Sequence, residues 1–329
     1  DEYAALLTTE MGKPIVQARA EIEKCAVLCE YYAEIIKDAL EPEEVKTDHD
    51  KSYRAFVPMG IVFAIMPWNF PMWQVMRFAV PNLMAGNAGI LKHAPNCTGT
   101  ALVIEKLIAE AGFPENLFRS SVVYVDFAAK VIAHPYVTCV TLTGSDKAGE
   151  SVAQSASKAL KKVVLELGGS DPYVILEDAN LEKAVEDCLA SRLNNAGQVC
   201  IAAKRIIIVD EVYDQFCRMM IEQIKAYTHG DPTLESTKLG PMARLDLRDK
   251  LHDQVKRAID SGAKCIQGGE IPSEKGYFYP ATLLVDVKPD NPAFREQMLK
   301  KGKTDKEVQS MIKRISGNYA KNMVILNHF

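Results

Sequence analysis

Between residues 20 and 40 apolar side chains recur at Ile22, Cys25, Cys29, Tyr32, Ile36 and Leu40. Steps of three and four put these on one face and predict an amphipathic helix. A polar, charged stretch over 41–51 follows, and the pattern then changes character. Short apolar runs alternate with helical periodicities: strand 60–66, helix 72–84, strand 89–92, helix 98–111, strands 121–125 and 137–143, helix 147–160 and strand 162–167. Strands alternating with helices predict an α/β fold with a parallel, doubly wound sheet. The alternation restarts with strand 173–176, helix 181–194, strand 205–209 and helices 212–227 and 245–261, which predicts a second α/β unit. Gly168-Gly169 is the natural hinge, because glycine reaches backbone angles other residues avoid. The expected division is therefore 1–167 and 168–329.

Composition narrows the function classes. With 48% of 329 residues hydrophobic and 25% charged, the chain can bury a core in each of two domains. Lys and Arg number 39 against 43 Asp and Glu, a net charge of -4 without a long basic run. Neither a nucleic-acid footprint nor a polybasic membrane patch is present, so small-molecule chemistry is expected. The apolar stretch 61–66 is far shorter than the roughly 20 residues that span a bilayer, and Pro67 and Pro71 soon break it. No membrane-spanning helix is expected. The chain opens Asp1-Glu2-Tyr3, so a targeting segment is absent or was lost with the start. Eight scattered cysteines show neither zinc-site spacing nor disulfide-scaffold density. Reduced thiols, a cytoplasmic location and no metal site follow as expectations; Cys25 and Cys29, four apart on one helix face, are read as core packing.

Several short segments carry candidate chemistry, each with a plainer alternative. In 195–201, Asn-Ala-Gly-Gln-Val-Cys-Ile, a cysteine follows a small, flexible segment that could present the Cys200 thiol to a cleft; a buried structural cysteine is the alternative. Glu166 ends an apolar strand just before Gly168-Gly169. In an apolar setting its carboxyl could act as a general base; otherwise it turns outward to solvent or a lysine. Pro67-Trp68-Asn69-Phe70-Pro71 is a rigid turn at a strand's carboxyl end, where Asn69 could donate to a developing oxyanion or merely cap the next helix. Thr143-Gly144-Ser145, with Gly149 beyond, turns from strand to helix and could aim amides at a phosphate, although such turns are common. Lys92 ends a strand where open α/β sheets bind ligands; it could hold ribose hydroxyls or be solvated.

Taken together, these segments and Gly112-Phe113-Pro114 resemble the aldehyde dehydrogenase superfamily in order and spacing, including the 34 residues from Glu166 to Cys200. The resemblance runs from Glu2 to about Glu296. It implies a Rossmann-type cofactor domain over 1–167 and a catalytic domain over 168–329, with 44–56 as a remnant of the family's oligomerisation arm. It implies that Cys200 attacks an aldehyde, that Asn69 and the Cys200 N–H stabilise the oxyanion, that hydride passes to a nicotinamide, and that Glu166 activates water to hydrolyse the thioester. Lys92 would contact the adenosine ribose. Gly144, Ser145 and Gly149 would approach the cofactor phosphates, beside Pro67 and Trp68. Pro95, three residues after the lysine, stands where NAD-preferring relatives often carry Glu, so either NAD or NADP is expected. The wording of 91–96 and 200–205 is most like the bacterial succinate-semialdehyde dehydrogenase branch. Arg77 would pair with the distal carboxylate of such a substrate; six residues before the nucleophile, where some relatives have a second arginine, stands Asn194.

Departures accompany the resemblance. Relatives extend further at both ends, and where they carry a Glu-hydrophobic-Phe-Gly-Pro motif this chain reads Gln297-Met298-Leu299-Lys300. A deletion or a replaced tail after about 296 is expected, with an incomplete catalytic domain. The family's homo-oligomer is doubtful here. A remnant that binds dinucleotide without turnover is the alternative to a working enzyme, and a cofactor-free cysteine hydrolase ranks last.

Overall fold

A computed structural model describes residues 1–169, 172–288, 291–293 and 320–326. Two compact units make up the chain, Asp1–Glu10 with Ala18–Leu167 and Met11–Gln17 with Gly168–Phe329. The elements of the first half are α1 (Glu2–Met11), α2 (Ile15–Ala39), β1 (Glu43–Glu44), β2 (Tyr53–Arg54), β3 (Ile61–Met66), α3 (Pro71–Met84), β4 (Ala88–His93), α4 (Thr98–Glu110), β5 (Phe118–Ser120), α5 (Ala128–Ala133), β6 (Val137–Thr143), α6 (Asp146–Lys158) and β7 (Lys162–Glu166). The strands β5-β4-β3-β6-β7 form one sheet in that order, and every pairing in it is parallel. The chain works outward from β3 to β5 on one side, then returns to lay β6 and β7 on the other. The order therefore reverses between β3 and β6, and ligands of such sheets bind beyond the carboxyl ends at that point. Met66 and Thr143 end those two strands.

Strand alternation divides the side chains of this sheet between its faces. Phe63, Val140 and Leu142 pack in one apolar cluster with Ile132 of α5 and Val152 and Ala156 of α6. Val62, Met66, Thr141 and Thr143 have the opposite parity and line a cleft with Phe78 of α3. The edge strand β7 shows the same two-sidedness, with Val163 and Leu165 half-buried and Val164 and Glu166 exposed.

One expected strand falls elsewhere. The apolar run 121–125 is not a strand; β5 pairs earlier, with Gly89 opposite Phe118 and Leu91 opposite Ser120. Phe118 is the residue that finds cover, at 4% exposed, whereas Tyr124 is 90% exposed ahead of a short 3-10 turn, Val125–Phe127. Apolar character marked the neighbourhood, and burial chose the register. The expected arm remnant 44–56 overlaps the small β1–β2 hairpin, in which Glu43 faces Arg54.

The second half contributes β8 (Pro172–Ile175), α7 (Leu181–Leu193), β9 (Arg205–Val209), α8 (Asp210–Ile224), α9 (Leu245–Asp260), β10 (Lys264–Gln267), β11 (Thr282–Val285) and β12 (Ala320–Leu326). Their sheet order is β10-β11-β12-β9-β8. Among the described residues only β8 and β9 pair in parallel in this sheet; the other pairs are antiparallel, so the sheet is mixed. All five residues of β9 are buried, as a strand covered on both faces requires. Met323 of β12 lies in a cluster with Ile206, Ile208, Phe216 and Leu283. The tail after about 296, expected to be replaced or to follow a deletion, thus includes a central strand of this sheet. The lysine-rich run 297–306, with Gln297-Met298-Leu299-Lys300, lies outside the described residues.

Candidate active site

The turn 67–71 leads from β3 into α3, and Pro71 takes the helix's first position, where its missing N–H costs nothing. Phe70, the N-cap, offers no side-chain cap. Glu21 of α2 fills the gap: the N–H groups of Met72 and Trp73 both donate to its Oε1 at 2.9 Å. Glu21 is itself buried, as is Asn69, at 4% exposed. Trp68 is buried and its carbonyl accepts a long contact of 3.8 Å from the Cys97 thiol, while Pro67 is half-buried.

His93, at the end of β4, reaches the same turn. Its Nε2 donates to the Pro71 carbonyl at 2.9 Å, and its Nδ1 accepts from the Ala94 N–H at 2.7 Å. The second bond requires an unprotonated Nδ1 and so selects the neutral Nε2–H tautomer. Burial pushes His93 down to about 4; the Pro71 bond raises it, and Lys92 lowers it further. A base whose folded pKa lies below its ordinary 6.5 leaves the unfolded chain binding the extra proton. The neutral imidazole's contribution is therefore complete above about pH 6.5, is lost as pH falls, and is gone below about 4. We expect acidification from pH 7 to 4 to destabilise the protein by about 3 kcal/mol more than His93→Gln. Parallel denaturation curves at several pH values would measure this, and identical pH dependences would refute it.

Lys92 is 5% exposed and donates to the His93 carbonyl at 3.3 Å, so it is buried rather than solvated. Desolvation lowers its pKa. Beside it, beyond the carboxyl ends of β4 and β5, lies a cleft of about 290 Å³ lined by His93, Pro95, Thr98, Ser120, Ser121 and Tyr124 among others. Among the described residues its lining includes hydroxyls and an aromatic ring, and no carboxylate.

At the end of β6, Ser145 caps α6 by accepting from the Ala148 N–H at 3.3 Å. Two amides expected to face an anion are used internally. The Gly144 N–H donates to the Glu166 carbonyl at 2.9 Å, and the Gly149 N–H to the Ser145 carbonyl at 2.9 Å. Gly149 instead lets α6 approach β7: a Cβ there would stand 2.6 Å from a Leu167 methyl.

Of the two settings open to Glu166, the outward-facing one is found. As the last residue of an edge strand it is exposed. It lines a cleft of about 310 Å³ with Arg77, Gln74, Asn82 and Thr143. The structure thus brings Arg77 and Glu166 to one cleft.

Cys200 belongs to the second unit, where the segment before it is tightly held rather than flexible. Asn195 and Ala196 adopt left-handed angles, φ 51° and 52°, and Gly197 follows at 78°. Such angles strain non-glycine residues. Hydrogen bonds overdetermine them: the Asn195 N–H donates to Gln17 Oε1 at 2.8 Å, Gln198 Nε2 donates to the Asn195 carbonyl at 3.0 Å, and the Ala243 N–H donates to Gln198 Oε1 at 3.0 Å. Residues 195–199 are buried, Cys200 is half-buried and Ile201 is 73% exposed, so the chain surfaces at the cysteine. Buried Lys204 donates to the Cys200 carbonyl at 3.1 Å and also to the Gly169 carbonyl. Sequence reasoning passed over Lys204 and Glu21. The signal for Lys204 was a charge placed directly before the apolar strand 205–209; Glu21, 51 positions from its partner, left none. Among the described residues no group of three or more His, Cys, Asp or Glu could hold a metal ion.

Known proteins resemble this chain along most of its length. Succinate semialdehyde dehydrogenase Sad of Escherichia coli, named for NAD(P)+, is 46% identical over 298 residues, covering 91% of this chain and 64% of that protein. An NADP(+) succinate-semialdehyde dehydrogenase of Mycobacterium avium is 43% identical over 301 residues, with 91% and 64% covered. A crystal structure of succinic semialdehyde dehydrogenase from Streptococcus pyogenes in complex with NADP+ superposes with a TM-score of 0.87 at 38% identity, over 89% of this chain and 64% of that one. The chain thus spans just under two thirds of the length of these relatives. The model of the aldehyde dehydrogenase family matches residues 1–299, and the chain belongs to that family.

Proposed function

We propose that this chain carries the machinery for oxidising a semialdehyde, succinate semialdehyde above all, to its carboxylic acid with NAD(P)+. The observation that carries the reading is the braced, left-handed loop that surfaces at Cys200, since backbone strain held by buried hydrogen bonds marks functional positions. The Cys200 thiolate adds to the aldehyde carbon, and the oxyanion so formed is held by the Asn69 amide and the Cys200 N–H. When bound, the dinucleotide accepts the hydride whose loss turns the adduct into a thioester. Glu166 takes a proton from the water that attacks this thioester; its exposure keeps it within reach of solvent water. The acid leaves and the thiol returns.

Residues 1–167 would bind the cofactor and 168–329 carry the nucleophile. A dinucleotide suits the groups present: Lys92 and the hydroxyl-lined cleft beside it for the adenosine end, and for phosphate the Ser145-capped start of α6 together with Pro67 and Trp68, which follow β3, the neighbour of β6. Pro95 puts no carboxylate against a 2′-phosphate, which supports acceptance of NADP as well as NAD. Arg77, in one cleft with Glu166, would pair with the substrate's distal carboxylate. Among the described residues no helix is long and apolar enough to cross a membrane; the eight free cysteines support a reducing, cytoplasmic setting.

The test is absorbance of reduced nicotinamide with succinate semialdehyde and with butanal, using NAD+ and NADP+ separately. Arg77→Ala should raise KM for succinate semialdehyde about 10- to 100-fold, the worth of a charged hydrogen-bonded pair, and leave butanal within about twofold. Equal effects on both aldehydes would remove Arg77 from substrate recognition. Gln297-Met298-Leu299-Lys300, standing where the resemblance implies a Glu-hydrophobic-Phe-Gly-Pro motif, supports a second reading, a dinucleotide-binding chain without turnover. Cofactor binding by calorimetry from folded protein that reduces no nicotinamide would establish it.

A further inference from the structure

Two helices that follow strands of the first sheet begin without a cap of their own and receive a carboxylate from far away in sequence. Glu10 of α1 accepts from the Gly99 N–H at 2.6 Å, the Thr100 N–H at 3.2 Å and the Thr100 hydroxyl at 2.5 Å, at the start of α4. Glu21 does the same for α3 through Met72 and Trp73. A carboxylate at a helix N-terminus meets both unpaired N–H groups and the positive end of the dipole. At α3 the consequence is local and chemical, because the residues so fixed adjoin Asn69.

The same few residues are held from a second direction. His93 takes the Pro71 carbonyl, and its ring is fixed in turn by the Ala94 N–H. Asn69 therefore lies just ahead of a stretch, Pro71–Trp73, tied to α2 by two bonds and to the end of β4 by one. Lys92 is the neighbour of His93 on β4, so the strand end proposed to bind cofactor and the turn proposed to bind the oxyanion share one hydrogen bond. An oxyanion donor acts through preorganisation, and its backbone must not relax as charge develops. The geometry points to Glu21 and His93 as positioning residues that clamp the 67–73 segment and so hold Asn69 for its role; this rests on the function proposed above.

The chain's two tryptophans are Trp68 and Trp73, both inside the clamped segment, so tryptophan emission reports that segment alone. The variants are Glu21→Ala and His93→Ala, with Glu21→Gln and His93→Gln keeping hydrogen-bonding atoms in place. In the alanine variants the emission should shift to the red and acrylamide quenching should rise at least twofold. With succinate semialdehyde, kcat should fall at least tenfold while KM stays within threefold, because the lost contact acts in the transition state. The Gln variants should recover most of both. Unchanged emission in the folded variants would overturn the clamp. A red shift with kcat intact, or a kcat loss matched by an equal rise in KM, would overturn its connection to Asn69. If the unaltered protein turns nothing over, the proposed function fails by itself, and Trp68 and Trp73 still decide whether Glu21 and His93 hold the segment. Should an alanine variant not fold, the Gln variant is read instead, and a Glu21→Gln protein with unshifted emission but a tenfold lower kcat would also count against the clamp.

Discussion

Cys200→Ala is expected to abolish aldehyde-dependent nicotinamide reduction, by at least about 10⁴-fold in kcat, with dinucleotide affinity retained. The size follows from what a nucleophile supplies: without the thiol no covalent adduct forms, and the remaining groups give only their binding and oxyanion contributions. The structure offers an independent reason to choose this cysteine among eight. Cys25, Cys97, Cys139 and Cys188 are buried within the fold, and burial pushes the Cys188 thiol up to about 12, the reverse of what a nucleophile needs. Cys200 is half-buried and follows three left-handed residues. The two that are not glycine, Asn195 and Ala196, each cost on the order of 1 kcal/mol or more. That cost is offset by the bonds from Gln17, Gln198 and Ala243. The measurement is initial rate by absorbance, with calorimetry of cofactor binding beside it. A rate that survives the substitution would dismiss Cys200 and with it the covalent mechanism.

The second large effect concerns stability. Met323→Asp should destabilise the protein by about 4 kcal/mol or more, whereas Met323→Leu should stay within about 1.5 kcal/mol. Met323 lies beyond residue 299, where the family match stops, yet it is fully buried. It stands opposite Ile206 of β9, while Leu283 of β11 pairs with Ile325 two positions along. A carboxylate there would lose its water with no partner in an apolar cluster of Ile206, Ile208 and Leu283. Denaturant unfolding followed by circular dichroism measures the loss. Were the aspartate variant within 1 kcal/mol of the unaltered protein, β12 would not be a strand of the folded sheet, and β9 and β11 would each need another neighbour.

Strands β6 and β9 were legible to the residue, as 137–143 and 205–209, since each is a short run rich in β-branched residues and bounded by residues that end it. Helices α3, α4, α6, α7, α8 and α9 were legible to within three residues from their apolar periodicity, and α2 to within five, whereas α1 and α5 were not read. Other elements could not be read so directly. The run 121–125 is as apolar as a strand, but β5 formed three residues earlier, where Phe118 is covered. Strand β12 carries an apolar pattern too, but nothing local tells a chain that residues 320–326 belong between β9 and β11, more than 30 positions from the latter. The second unit was read as α/β from β8 and β9 alone; its antiparallel strands have partners remote in sequence.

The candidate site divides along the same line. Which residue types could do chemistry, and at what spacing, was a property of the sequence: Asn69 in a turn between prolines, Glu166 and Cys200 34 positions apart, Ser145 opening a helix. These depend on covalent order and local conformational preference, which a linear string contains. How those residues are held was decided by tertiary structure. Glu166 is exposed because β7 is an edge strand, Lys92 is buried because β4 is an inner one, and the loop before Cys200 is rigid because Gln17 reaches it. The N-terminus of α3 takes its cap from a glutamate 51 residues earlier. Burial and hydrogen bonding between distant segments depend on which surfaces meet in space, and no local pattern encodes that meeting.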